Sequence, residues 1–491
     1  MSVPPRTPVL VGQAQVSQRC DDPADAASPL ELMQRALLGA ARDCGSRSLV
    51  EAADSVRVPH GLWRYANPAA WLAEKLELSR TPHTGLGPIS GSTVQRMLHH
   101  GAVEIAEGKR DVVVLVSGEC EHSRRRAKKA GLARGWSAAS GPPVDETFGS
   151  HDPEFGALEM RYRLRPMHAF SLYENALRAH RGETPQAHQE KIARLWERMA
   201  AVAARNPDAW SREGLSAEAI LAPEGGNRLV AYPYTKYLVS NMVVDMGAAL
   251  VLCSAEAAHR HGVPEERMVY LHAATDVLRT APLAERAHLH DEPALGAGGR
   301  RALALAGCGP GDVAHVDLYS CFPAAVQIAA DELGFDPARE LTVTGGLGFS
   351  GGPFNSYVMH SLAKLVERLR ETPGALGFAS GIGGYMAKHA FGVYGSAPPE
   401  RGFRYQDCTD AVQPLPTRPF AHDLDGPARI ETFACVPAPD GGEPALLAVC
   451  LRDDGTRTAA LNADPALVES VAREELCGRA VRVRGGLWEA A

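Results

Sequence analysis

The stretch from Gly85 to Ser117, GLGPISGSTVQRMLHHGAVEIAEGKRDVVVLVS, restricts the fold more than any other part of the chain. Val94, Met97, Leu98, Ala102 and Ile105 recur at helical spacing, and Ser92 or Thr93 is placed to cap that helix. Asp111 to Ser117 (DVVVLVS) is apolar without alternation. A run of strand length with that pattern belongs in a sheet covered on both faces. A glycine turn, a buried helix and a fully buried strand in sequence make a βαβ unit.

The same grammar is written a second time. Pro8–Gln13 and Ser55–Val58 read as strands and Pro29–Asp43 as an amphipathic helix. Strand character restarts at Asn241–Ser254, with a helix at Ala255–His261 and a further strand at Met268–Ala274. A helix at Gly299–Ala306 and a strand at Val313–Leu318 follow. LTVTGGLGFSGGPF, Leu341 to Phe354, reads as a glycine-rich corner whose Pro353 opens a helix over Asn355–Arg368. Ala375–Ser380 is the last strand of this part.

Between about residues 119 and 234 the pattern loosens. Helices are expected at Pro166–His180 and Gln186–Asn206, and a basic run covers Arg124–Lys129 within HSRRRAKKAGLARG. This reads as a subdomain inserted over the end of a sheet. After Gly395 the composition changes to alternating strands at 428–435, 445–451 and 457–461 and a short helix at 465–475. That is a separate small domain, 404–491, read as a five-stranded barrel of the oligonucleotide-binding type. The expected division is 1–240 with the insertion, 241–400, and 404–491.

Bulk properties exclude several classes. The net charge of −7 gives no general attraction to nucleic acid or anionic membranes. No apolar run reaches the roughly 18 residues of a membrane span. The N-terminus lacks a secretory signal pattern. Ten scattered cysteines without a CxxC pair suit free thiols in a reducing cytoplasm and no metal site.

Five landmarks in order resemble the thiolase superfamily, in particular thiolase-like proteins of type 1, described as acetyl-CoA acetyltransferase-like. They are GSTVQRMLHHGAVEIAEGKRDVVVLVSGE, NMVVDMGAALVLCS, VDLYSCFP, GGLGFSGGP and ASGIGG. The resemblance covers residues 8–395, and the tail fits that group's extra domain. It implies two βαβαβαβ halves packed face to face, a five-layer α-β-α-β-α body, that hold a coenzyme A ester. It also implies a dimer through the edge of the first-half sheet, or a partner protein met through the C-terminal domain.

Thiolase chemistry needs a nucleophilic cysteine at a helix start, a histidine, an Asn/His–water pair and a second cysteine. The resemblance puts Gly91 at the first cysteine, Gly352 at the histidine and Tyr319 at the Asn/His. Ser320 falls at its acidic neighbour, and Ala379 or Gly381 at the second cysteine. Glycine cannot be acylated, and losing a nucleophile costs on the order of 10⁴–10⁶ in rate. An ordinary thiolase cycle is therefore not expected. Cys321 and His389 are the substitute catalytic candidates. Thr93, Tyr319, Gly351, Gly352, Asn355, His360 and Gly383 are candidate contacts to the thioester. Lys236, Arg124 and Arg125 are candidates for the coenzyme A phosphates. The expected ligand is an acyl-CoA or lipid thioester, with no bound cofactor or metal, no nucleic acid and no membrane span. A structural packing role competes with each assignment: Cys321 as a core thiol, His389 as a backbone-satisfied histidine, the basic run as a solvated face.

Overall fold

The computed structural model describes residues 3–78, 81–132, 136, 141–149, 155–437 and 444–491. Residues 133–135, at the end of the basic run, lie outside the described residues, as does part of the insertion.

The body strands are β1 (Pro8–Ser17), β2 (Ser55–Pro59), β3 (His83–Gly87), β4 (Val112–Cys120) and β5 (Glu146–Thr147). A small hairpin in the insertion follows, β6 (Leu229–Ala231) and β7 (Tyr234–Thr235). Then come β8 (Asp245–Ser254), β9 (Val269–Leu278), β10 (Val313–Asp317), β11 (Leu376–Gly383), β12 (Lys388–Gly395) and β13 (Arg404–Asp407). All nine residues of β4 and all ten of β8 are buried, as their unbroken apolar pattern requires.

The sheet order is β10-β11-β12-β9-β1-β8-β4-β2-β3-β5, with β13 beside β9. Outward from β1 the neighbours are β8 antiparallel, β4 antiparallel and β2 parallel. Outward from β9 they are β12 antiparallel, β11 antiparallel and β10 parallel. The two halves thus repeat one plan. They also join edge to edge, because Val9 pairs with Tyr270 and Leu10 with Val269, which makes one eleven-stranded sheet.

Two sequence expectations change here, and the glycine-rich corner takes a definite form. Asn241–Ser254 was expected to restart the second half, but β8 pairs with β1 and β4 and completes the first. Leu341–Phe354 is the glycine-rich corner expected, and it begins with a turn at Thr342. The Thr342 hydroxyl accepts the N–H groups of Gly345 and Gly346, each at 3.1 Å. Pro353 does not open the long helix. A tight turn in which the Phe354 N–H donates to Gly352 O (2.6 Å) comes first, and the helix starts at Tyr357.

Helices Thr93–Ala106 and Tyr357–Glu371 touch strands of both halves and form the middle layer. Helix Pro29–Asp43 covers the outside of the first half, and Pro293–Ala306 that of the second. Ser28 caps the first of these reciprocally with Glu31 (3.2 and 2.7 Å). Among the described residues no helix is long and apolar enough to cross a membrane.

The inserted helices form at Pro166–His180 and Pro185–Arg205. They are tied down by the buried Glu174 carboxylate, which meets His188 Nε2 (2.7 Å) and accepts from Gln327 (2.6 Å) and Tyr234 (2.8 Å). Gln327 sits on the second-half helix Pro323–Leu333, so the insertion is locked to the body.

The tail is a closed five-stranded barrel of β14 (Gly426–Val436), β15 (Ala445–Leu451), β16 (Arg457–Asn462), β17 (Ala480–Arg484) and β18 (Leu487–Ala490). It docks on the helix Pro166–His180. Asn175 donates to Phe433 O (3.0 Å) and the Thr432 hydroxyl to Leu172 O (2.6 Å). Buried Arg457 forks onto Glu431 (2.6 Å twice) and donates to the Ala284 and Ala287 carbonyls (3.1 and 3.0 Å). Removing one partner of such a network leaves the others unpaired. Arg457→Met should therefore lower the stability of the intact chain by about 3 kcal/mol in a urea titration. A change under about 0.5 kcal/mol would show that the arginine does not hold the barrel in place.

Candidate active site

A cavity of about 710 Å³ opens where the ends of the two halves meet the insertion. Its floor is made by Gly91, Tyr319, Cys321, Gly352, Asn355 and Gly383. Four of the five landmark segments read from the sequence therefore converge on one wall. The helix Pro166–His180 and the loop before it supply the opposite side through Arg165, Met167 and Phe170. Most of the exposed lining is apolar, and Ile89, Phe155 and Met242 stand at the rim with about two-fifths of their surface in solvent.

The floor is unusually close-packed at Gly91. A Cβ on that residue would lie 2.2 Å from Ile382 O and 2.4 Å from the Tyr319 hydroxyl oxygen. The phenol thus fills the space that a side chain at position 91 would use. Gly383 faces the same turn from the other half, since a Cβ there would meet the Ser90 hydroxyl at 2.0 Å. A Cβ on Gly381 would come within 3.0 Å of Ser92 Cα. Gly352 differs. Its nearest neighbours are Leu347 atoms at 3.4 Å or more, which is ordinary contact, so that position has room for a side chain. Gly351 beside it has φ +106°, a conformation that favours glycine.

Tyr319 stands edge-on to Tyr357 with centroids 5.7 Å apart, and its own N–H donates to Ser380 Oγ (2.9 Å). Tyr357 donates to the buried Asp317 (3.0 Å), which also accepts from Thr342 (2.9 Å). This chain of bonds holds β10 and the Leu341–Phe354 segment in register. Burial pushes the Tyr319 phenol far above its ordinary value, so it remains an O–H donor.

Cys321 lines the cavity and burial pushes its thiol up to about 12, which keeps it protonated. His389 and His360 do not line the cavity. His389 Nε2 lies 2.9 Å from Met386 O, and burial lowers the ring to about 4. His360 Nδ1 lies 2.9 Å from Gln15 Oε1, and burial lowers it to about 3. Neither imidazole is placed beside the Cys321 thiol. Asn355 lines the cavity and donates to His60 O (2.7 Å).

Thr93 is found in a different, smaller hollow. Arg125 lines the large cavity; Arg124 does not, and both pair with Glu121 at 2.6 Å. Lys236 is outside the lining but close. Its pKa is lowered by burial and by the charges of Arg228 and Arg125, which marks a convergence of cations at this end. Arg165, Met167, Phe170, Phe322, Tyr385 and Lys388 are lining residues that the sequence reading missed. The one available signal was that the helix Pro166–His180 is rich in apolar residues for a segment read as a surface insertion. Among the described residues no group of acids, histidines and cysteines is placed to hold a metal.

Comparison with known proteins agrees with this architecture. A monomeric SCP2-thiolase like protein type 1 from Mycobacterium smegmatis superposes with a TM-score of 0.83 at 29% identity, covering 100% of both chains. An acetyl-CoA acetyltransferase from Syntrophomonas wolfei shares the fold at a TM-score of 0.56 and 16% identity, over 80% of this chain and 99% of that one. In sequence, an acetyl-CoA acetyltransferase of Methanothermobacter thermautotrophicus is 24% identical over 398 residues, 74% of this chain and 94% of that protein. Residues 407–486 match the thiolase-like protein type 1 additional C-terminal domain. The body has the thiolase fold, with a closed five-stranded barrel appended. Body and tail together are similar to the thiolase-like proteins of type 1.

Two outcomes test the geometry. Gly91→Ala should destabilise the protein by about 2 kcal/mol because backbone must move, whereas Gly352→Ala should cost under about 1 kcal/mol. Equal costs, measured by chemical denaturation, would contradict the packing described. For His389, the folded value of about 4 lies below the ordinary 6.5. The unfolded chain binds the proton more readily, so stability is full above pH 6.5 and falls as pH drops toward 4. A denaturation midpoint measured across that window should be less pH-dependent in His389→Gln than in the parent protein.

Proposed function

We propose that this protein binds an acyl-CoA or related lipid thioester in the large cavity and does not run the thiolase cycle. The observation that carries the reading is the floor itself. The segments that hold the reacting groups in a thiolase, by the resemblance, are gathered around one cavity, but by that same resemblance Gly91, Gly352 and either Ala379 or Gly381 stand at the reactive positions. The Tyr319 phenol blocks the place of the first nucleophile.

Several features support the choice of ligand. The cavity is mostly apolar and large enough for an acyl chain. Arg125 and Arg165 line it, and Lys236 and Arg228 lie near, as phosphate oxygens would require. Tyr319, protonated at any physiological pH, is a hydrogen-bond donor suited to a thioester oxygen. Catalysis through Cys321 is disfavoured because its thiol is held protonated and, among the described residues, no histidine lines the cavity with it. The protein would act in the cytoplasm, as a carrier or presenter of the thioester or beside an enzyme that consumes it.

A monomer is part of this proposal. The outer edge of β3 is already taken by β5 of the same chain, through Gly85–Glu146 and Leu86–Thr147 pairs. The M. smegmatis relative is described as monomeric.

The test combines calorimetric titration with intact mass. Acyl-CoAs of several lengths should bind saturably, with no covalent adduct on the protein and no coenzyme A released. Arg125→Ala with Arg165→Ala should weaken that binding by roughly tenfold or more. An acyl adduct that disappears in Cys321→Ala would instead establish a rebuilt enzyme, and absence of binding would end the reading.

A further inference from the structure

A second hollow, of about 240 Å³, shares Ser90 and Lys388 with the large cavity as lining residues. It runs along one side of the fourteen-residue helix Thr93–Ala106, from Ser92 and Thr93 at its N-terminus past Arg96 to His100 and Val103. That helix start has no side-chain cap, although Ser92 occupies the cap position; the Thr93 N–H donates to Ser90 O (3.1 Å), and the helix dipole still favours negative charge there. Thr93 lines the hollow, is 1% exposed, and its hydroxyl oxygen has no hydrogen-bond partner. Leaving a buried hydroxyl unmet costs about 1–3 kcal/mol. Arg96, one turn on, also lines the hollow and makes no hydrogen bond or ion pair with another described residue.

Two acids, Asp276 and Glu146, share this lining, and the Arg96 charge acts on Asp276. Asp276 is already engaged on both oxygens, by His99 Nδ1 at 2.9 Å and by the Tyr405 hydroxyl at 3.1 Å. Glu146 faces His83 at 3.8 Å. A helix start without a side-chain cap, a buried hydroxyl without a hydrogen-bond partner and the Arg96 guanidinium therefore border one space of small-molecule size.

We infer that this hollow is a separate binding site for a small oxyanion, a carboxylate or a phosphate group, held by Thr93, Arg96 and the first turn of the helix. An oxyanion there would accept the Thr93 hydroxyl proton and the guanidinium N–H groups and would complement the helix dipole. Because Lys388 and Ser90 border both spaces, the site adjoins the acyl cavity without being part of it.

The experiment titrates the full-length protein, with no acyl thioester present, with succinate and separately with inorganic phosphate. Sodium chloride at matched ionic strength is the control. Saturable heat above the chloride control is expected for at least one of the two. Succinate alone would identify an organic acid as the ligand class, and phosphate alone a phosphate group. Affinity should fall roughly tenfold or more in Arg96→Leu. Thr93→Val should also weaken binding, with far-UV circular dichroism unchanged in both variants. Failure of both anions to bind beyond chloride, or undiminished binding in both variants, would overturn the inference. Neither result bears on the acyl-CoA reading, since no thioester is in the cell.

Discussion

The closeness of two backbone segments governs this molecule. The Ser90–Ser92 turn from the first half presses against the end of β11 from the second, and glycine stands on both sides of the contact, at 91, 381 and 383. A single methyl group at Gly91 would sit 2.2 Å from a main-chain oxygen. Side chains at these points would force the halves apart, and the price would be paid along the whole middle helix layer. The approach that closes the fold thus also leaves no room for a side chain at position 91. Tyr319 completes the exclusion by laying its hydroxyl where that side chain would begin.

The same contact shapes everything above it. With the floor sealed by glycines and a phenol, the cavity widens toward the insertion, where Met167 and Phe170 face it. The insertion keeps its position through the Glu174 network to Gln327 and Tyr234, buried bonds that hold only when all partners are present. The barrel then rests on the same helix Pro166–His180 from the other side. The helix Pro166–His180 therefore carries cavity-lining residues and the barrel contact on one element.

Much of this was legible in the residues. The helices Pro29–Asp43 and Pro166–His180 have the bounds their apolar spacing indicates, and the unbroken apolar runs of β4 and β8 mark strands buried on both faces. Assignment of β8 to a half was not legible, because its sequence is the same whether its neighbours are β1 and β4 or strands still to come. The Leu341–Thr344 segment alternates like a strand, yet Thr342 turns its own hydroxyl onto the following N–H groups, a local bond that competes with a ladder. At the site, glycine positions carried the signal because only they permit the approach. The separation of Thr93 from the cavity, and the distance of His389 and His360 from it, depend on side-chain direction, which spacing does not report. Arg165, Met167 and Phe170 were missed because their role comes from docking between elements far apart in the chain.

The central claim is that the cavity holds an acyl thioester above a floor whose Cys321 thiol stays protonated and unreactive. Its most direct measurement is a crystal structure of the protein with a thioether analogue of an acyl-CoA, which resists cleavage. The account predicts the acyl chain among Met167, Phe170 and Phe322, the carbonyl oxygen within hydrogen-bond distance of Tyr319, and the phosphates toward Arg125. An analogue bound elsewhere, or a cavity left empty at saturating ligand, would contradict it.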